Sequence, residues 1–265
     1  MAYSKSLFLD QVIQALYEDK GIFNMCNRNL DVFVQQQGGD NVYIPAMPLL
    51  TAVTPPDTNR KDTKADTNMV QVPMAKSVVE VGEEVEMRYM NKSGSVMQGF
   101  VVGVAKAHRK NFDAQVIAEA QGTTTTIPWD GGQISYGDFA NISGKFNELE
   151  VDPDDRFVVY PARLESQLNK DPDIKRAMTY SPSYLENGIF RMLNMQIISS
   201  ARVAKIGGKE NLVGIWGPGL AFVLDAFMDY HEVYDDVNKR TLGDYFAWYG
   251  KKLYKNEYAI VSLES

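Results

Sequence analysis

Residues 151–161, Val151-Asp-Pro-Asp-Asp-Arg-Phe-Val-Val-Tyr-Pro161, are where the reading of this chain turns. Asp152-Pro-Asp-Asp155 is turn chemistry, because proline fixes φ and aspartate side chains hydrogen-bond to nearby backbone amides. Arg156-Phe-Val-Val-Tyr160 is a short, β-branched apolar run, which predicts a buried strand. Pro161 predicts the first position of a helix reaching to about Asn169, since the first helical turn has no use for the missing N–H. A further short helix is predicted over 173–178.

Upstream, residues 136–149 read as a helix interrupted by Gly144, and residues 123–126 as a Thr-rich connection. Before them lies the longest helical signal in the chain, from Ser95 to about Gln121. It places Met97, Val101, Val104, Ala105, His108, Phe112 and Val116 on one face, with Gly122 as a stop. At about 1.5 Å per residue such a helix is roughly 40 Å long. Residues 77–90 alternate valine with charge, and Met69-Val-Gln-Val-Pro-Met74 and Asn41-Val-Tyr-Ile-Pro45 read as strands, the latter limited to an edge by Pro45. Between those strands, residues 50–68 are polar and carry five threonines, which predicts a long projecting β-hairpin. Residues 6–23 form an amphipathic helix with Leu7, Phe8, Val12, Ile13, Leu16 and Tyr17.

Downstream, residues 188–203 read as extended, alternating through Met195, Ile197 and Ser199. The remainder is rich in strand signals, ending in Tyr258-Ala-Ile-Val-Ser-Leu263. Strands and helices segregate instead of alternating, so the fold class is α+β.

The charge balance narrows the function. With 27 basic and 34 acidic residues the net charge is -7, which opposes a role in neutralising nucleic-acid phosphates and predicts only nonspecific contact with DNA. Cys26 is the single cysteine, so no internal disulfide is expected and a reducing cytoplasm suits folding. Asp10 interrupts what would be the apolar part of a signal peptide, and the apolar runs are far shorter than the roughly 20 residues that span a bilayer. A soluble chain without membrane contact is expected.

No catalytic constellation emerges. Two histidines, His108 and His231, cannot make a His-Glu-x-x-His zinc site, and one cysteine cannot make a Cys-x-x-Cys pair. His108 lies within an apolar stripe and reads as a core or interface histidine. Gly207-Gly208-Lys209-Glu210 fails as a phosphate loop because Glu210 stands where Ser or Thr must be. Gly217-Pro218-Gly219 reads as a turn, since Pro218 removes an amide that phosphate cradling would use. Asp152 to Asp155 and Asp235-Asp236 lack the spacing of a calcium loop. Tyr245, Phe246, Trp248 and Tyr249 read as packing rather than base-stacking, with no basic groove beside them. No metal or cofactor is expected.

A polar hairpin between two strands, a long helix, and the 151–161 stretch resemble, in that order, the Hong Kong 97 fold major capsid proteins of tailed bacteriophages. Asn187-Gly-Ile-Phe-Arg-Met-Leu-Asn-Met-Gln-Ile-Ile-Ser-Ser200 and the closing stretch from Trp248 to Leu263 are similar to later parts of the same fold. The resemblance implies an N-terminal arm (1–40), an extended loop (41–76), a peripheral domain with a long spine helix (77–121 and 229–265) and an axial domain (122–228). It implies a self-assembling subunit of the icosahedral shell around a double-stranded DNA genome, arranged as pentamers and hexamers. The location implied is the virion capsid, after assembly in the host cytoplasm. A separate scaffolding protein, a portal and a decoration protein are the implied partners, and no catalytic residue is implied. For contacts between subunits, Arg60, Lys61 and Lys64 on the loop are paired with Glu83, Glu84 and Glu86. Two rival readings stand beside this one: an encapsulin-like nanocompartment shell, and a hydrolase using carboxylates such as Asp152 and Asp155.

Overall fold

The computed structural model describes residues 5–18, 21–31, 41–45, 69–81, 94–129, 133–180, 189–225, 229–235 and 240–264. Helix α1 (Lys5–Glu18) and a 3-10 turn (Ile22–Met25) precede strands β1 (Asn41–Pro45) and β2 (Met69–Val81). Helix α2 (Gly94–Gln121) follows, then β3 (Thr126–Trp129), α3 (Tyr136–Glu148), β4 (Arg156–Pro161), α4 (Glu165–Leu168) and α5 (Pro172–Thr179). The remaining strands are β5 (Ile189–Met192), β6 (Met195–Ser200), β7 (Asn211–Trp216), β8 (Leu220–Leu224), β9 (Asp229–Asp235), β10 (Arg240–Leu253) and β11 (Ala259–Glu264).

The strands form two sheets. One runs β1-β2-β10-β8, with β9 also paired to β10; the other runs β3-β11-β7-β4-β6-β5. In the second sheet β4 is central, parallel to β6 and antiparallel to β7, and every residue of Arg156–Pro161 is buried. Burial on both faces is why the sequence there is continuously apolar instead of alternating. Phe157 and Val159 face the cluster around α2, whereas Val158 and Tyr160 face a second cluster built on Phe139, Ile142 and Phe146 of α3.

Helix α2 spans both sheets. Phe112 sits at the middle of its buried stripe, with ring centroids of Phe23 and Phe222 at 5.4 Å and Tyr249 at 5.2 Å. Further along, Val116, Ile117 and Ala120 are buried in the same cluster as Val213, Ile215 and Ala259 of the second sheet. Burying a side chain of this size is worth about 1.5–3 kcal/mol, so the stripe fastens the helix to both sheets. The helix matches the expected span, and the described residues of its predicted face, Val101, Val104, Ala105, His108, Phe112 and Val116, are all buried.

Sheet membership crosses the boundaries drawn from the sequence. β11, taken with the peripheral segment, pairs with β3 and β7 in the six-stranded sheet, and β8, taken with the axial segment, pairs with β10. Residues 22–30, taken with the arm, contribute Ile22, Phe23, Cys26 and Leu30 to the core. Pro161 ends a strand rather than starting a helix, because pairing with Ser200 holds it extended, and the first turn after it is 3-10. The run 188–203 folds back on itself as β5 and β6, through Leu193 (φ 53°) and Asn194 (φ 59°). Leucine is costly in the left-handed region, and without a glycine the turn left no mark in the sequence.

Candidate assembly surface

The surface that the two sheets present is built outward from α2, where its rigidity starts. His108 is fully buried, with Nδ1 3.0 Å from Ser77 Oγ of β2, and Asn111 Nδ2 donates to the same hydroxyl at 2.8 Å. Burial lowers the His108 pKa to about 4, so the ring is neutral at physiological pH. Its Nε2 has no hydrogen-bond partner among the described residues. Strand β2 is thus clamped to the helix.

One turn on, Asp113 Oδ1 accepts the Phe23 amide at 3.1 Å, and Oδ2 lies 3.6 Å from Arg109 Nε. Burial raises the Asp113 pKa against the lowering effect of that amide and of Arg109. The segment after Phe23 then runs along the edge of β8. Asn27 donates to Leu220 O at 3.0 Å, Phe222 donates to Asn27 O at 3.1 Å, and Leu224 donates to Asp31 Oδ1 at 2.9 Å. Those bonds cover an edge that would otherwise offer a row of unpaired backbone groups.

The aromatic cluster of β10 is split by the period-two pleat. Tyr245 and Tyr249 are buried under α2, whereas Phe246 and Trp248 point to the opposite face beside Val78 and Lys76. Lys76 Nζ stands 3.5 Å above the Phe246 ring centroid and 5.7 Å from that of Trp248. Val78 and Trp248 remain exposed on this face, and Tyr43 and Met69 are exposed on the β1–β2 pair. The pairing of Pro45 with Met69 makes the strands that flank residues 46–68 the antiparallel pair expected of a hairpin.

The six-stranded sheet has contrasting ends. Where β4 and β6 begin, Arg156 is buried and uses its guanidinium on backbone and side-chain carbonyls: Nε to Asp152 O at 2.8 Å, Nη1 to Asn147 Oδ1 at 2.8 Å, and Nη2 to Val151 O. Beside it a cleft of about 680 Å³ is lined by Asp154, Asp155, Arg191, Asn194 and Gln196, among others. Where those strands end, Glu210 accepts from Arg163 Nε at 2.9 Å and pairs with Lys205 Nζ at 2.9 Å. The Arg163 hydrogen bonds hold the Glu210 carboxyl below the usual carboxylate range.

The residues proposed from sequence for contacts between subunits, Arg60, Lys61, Lys64, Glu83, Glu84 and Glu86, lie outside the described residues. Among the described residues no cluster of His, Cys, Asp or Glu is arranged to hold a metal ion. Cys26 donates to Ile22 O at 3.8 Å, and burial with the nearby Asp113 charge pushes its thiol pKa far up, so it is no nucleophile. Asp152 and Asp155 are exposed turn residues. The covered β8 edge and the Arg156 carbonyl clamp went unseen in the sequence.

No family model and no curated protein matches the chain. Solved structures do. A chain of Mycobacterium phage Che8 superposes with a TM-score of 0.62 at 16% identity, covering 92% of this chain and 91% of its own. The capsid of Ralstonia phage GP4 gives 0.61 at 10% identity, covering 96% and 91%. This is the Hong Kong 97 capsid fold. A virus-like particle from Pyrococcus furiosus is similar as well, with a TM-score of 0.56 at 11% identity over 97% of this chain and 98% of that one. The α+β class and the Hong Kong 97-type fold expected from the sequence therefore hold.

Proposed function

We propose that this chain is the major capsid protein of a tailed phage, a subunit that assembles with copies of itself into the icosahedral shell around double-stranded DNA. The observation that carries this reading is the match with the capsid of Ralstonia phage GP4 over 96% of this chain and 91% of that one. Ring closure into pentamers and hexamers requires heterologous contacts, in which two different patches of one subunit meet on neighbours. Many weak contacts of this kind give a stable shell by multivalency. The proposed partners are a separate scaffolding protein, a portal and a decoration protein, and the proposed location is the virion after assembly in the host cytoplasm. No catalytic step belongs to this reading, and the polar segment with Arg60, Lys61 and Lys64 is proposed to reach Glu83, Glu84 and Glu86 of a neighbour.

The cargo tests this against a nanocompartment. Particles purified from infected cells and treated with nuclease should retain protected DNA of uniform length. Particles filled with a protein instead would replace the phage reading with the compartment.

A further inference from the structure

We propose that the two ends of the six-stranded sheet are the complementary halves of one head-to-tail contact, in which the turn carrying Lys209 on one copy enters the cleft beside Asp154 and Asp155 on the next. The proposal rests on the shell-subunit reading above and names the surfaces it uses.

The placement follows from register. Arg156 pairs with Trp216 and Phe157 with Gln196, so the turn 152–155 and the Leu193-Asn194 turn share one end of the sheet. Trp216 Nε1 donates to Asp154 O at 3.1 Å and Gly217 N–H to Asp155 O at 3.0 Å, which fixes the acidic turn there. Pro161 pairs with Ser200, and β7 begins at Asn211, so the loop 201–210 lies at the opposite end. β6 has six residues, which separates the ends by about 20 Å. They therefore face away from each other, as the two sides of a ring subunit must.

The chemistry of the ends is opposite. Glu148, Glu150, Asp152, Asp154 and Asp155 fall within eight residues at the first end, all of them exposed, and of these only Glu148 is ion-paired within the described residues, with Lys145 at 2.8 Å. Two basic groups line the cleft there: Arg156, already committed to Asn147, Val151 and Asp152, and Arg191. At the second end, Glu210 is committed to Arg163 and Lys205, and Arg202 acts on the buried Asp113, which leaves Lys209 without an ion pair among the described residues. Gly207 (φ 59°) and Gly208 (φ 82°) make a tight turn closed by hydrogen bonds between Ile206 and Lys209, and all three of Gly207, Gly208 and Lys209 are exposed. A narrow tip without bulky side chains, ending in a cation, fits a polar cleft of about 680 Å³ with carboxylates at its mouth. Carboxylates outnumber the two guanidinium groups at the first end and cations outnumber Glu210 at the second, so opposite ends attract and like ends repel, which favours closed head-to-tail rings over back-to-back pairs.

The test is a charge swap in the full chain. Lys209→Glu and Asp154→Lys each change an exposed side chain that makes no hydrogen bond or ion pair among the described residues, so thermal unfolding of the free subunit should stay as in the unaltered protein. Each alone should raise the concentration needed for assembly about tenfold, since attraction becomes repulsion at an exposed contact. Lys209→Glu combined with Asp154→Lys in one chain should recover assembly. Single variants that assemble at the original concentration would overturn the proposal, as would a double variant no better than the singles. If the unaltered chain forms neither rings nor shells, it is the shell-subunit reading that fails. Loss of DNA retention with assembly intact in Lys209→Glu would assign the tip to phosphate contact and overturn the pairing.

Discussion

The Phe23 amide donates to Asp113 Oδ1 at 3.1 Å, bridging 90 residues of sequence to fix the N-terminal segment against α2. Removing the acceptor leaves a buried N–H unpaired, which costs about 1–3 kcal/mol. Asp113→Ala should lower subunit stability by that amount in denaturant unfolding. Asp113→Asn keeps an oxygen for the amide while removing a buried charge, and should lose clearly less. Equal losses in the two variants would show that the charge, with Arg109, matters more than the hydrogen bond.

His108 predicts an acid-sensitive fold. Its folded pKa of about 4 lies below the unfolded value of about 6.5, so between those limits the unfolded chain binds a proton that the folded chain refuses. Stability should be level above pH about 6.5 and fall as pH drops to about 4, by at most about 3 kcal/mol. Asp113, its carboxyl pKa raised by burial, contributes the opposite slope just above pH about 3.9, which makes the comparison with a variant necessary. His108→Phe should abolish the acid limb in urea unfolding at pH 7 and pH 4.5. An unchanged limb would place its origin elsewhere.

Arg156 holds the turn before β4 to the end of α3 through three acceptors. Arg156→Lys supplies one ammonium where a planar fork served all three, leaving the buried Val151 carbonyl and the half-buried contacts to Asn147 and Asp152 short of donors. A loss of about 2–4 kcal/mol is expected, read as a fall in thermal midpoint of the free subunit. A loss below about 1 kcal/mol would mean that water reaches those carbonyls.

These residues also mark what the sequence disclosed. The stripe from Val101 to Val116 is local periodicity, and it identified both the helix and the buried position of His108. Arg156-Phe-Val-Val-Tyr160 announced a fully buried strand by composition alone. Pairing was not legible: that β11 joins β3 and β7, or that residues 27–31 line the edge of β8, depends on contacts far apart in sequence. The turn at Leu193-Asn194 was hidden because tertiary context imposes a positive φ on leucine. Of the surface, the opposed charges of 148–155 and 202–209 acquired meaning once register put them at opposite ends of one sheet.

The central claim is that this subunit exists to bind copies of itself. Electron microscopy of the purified, expressed chain, alone and with a candidate scaffolding protein, addresses it directly. Closed shells of uniform diameter, or rings with five-fold and six-fold symmetry, are the predicted result. A folded protein that stays monomeric under both conditions would contradict the account.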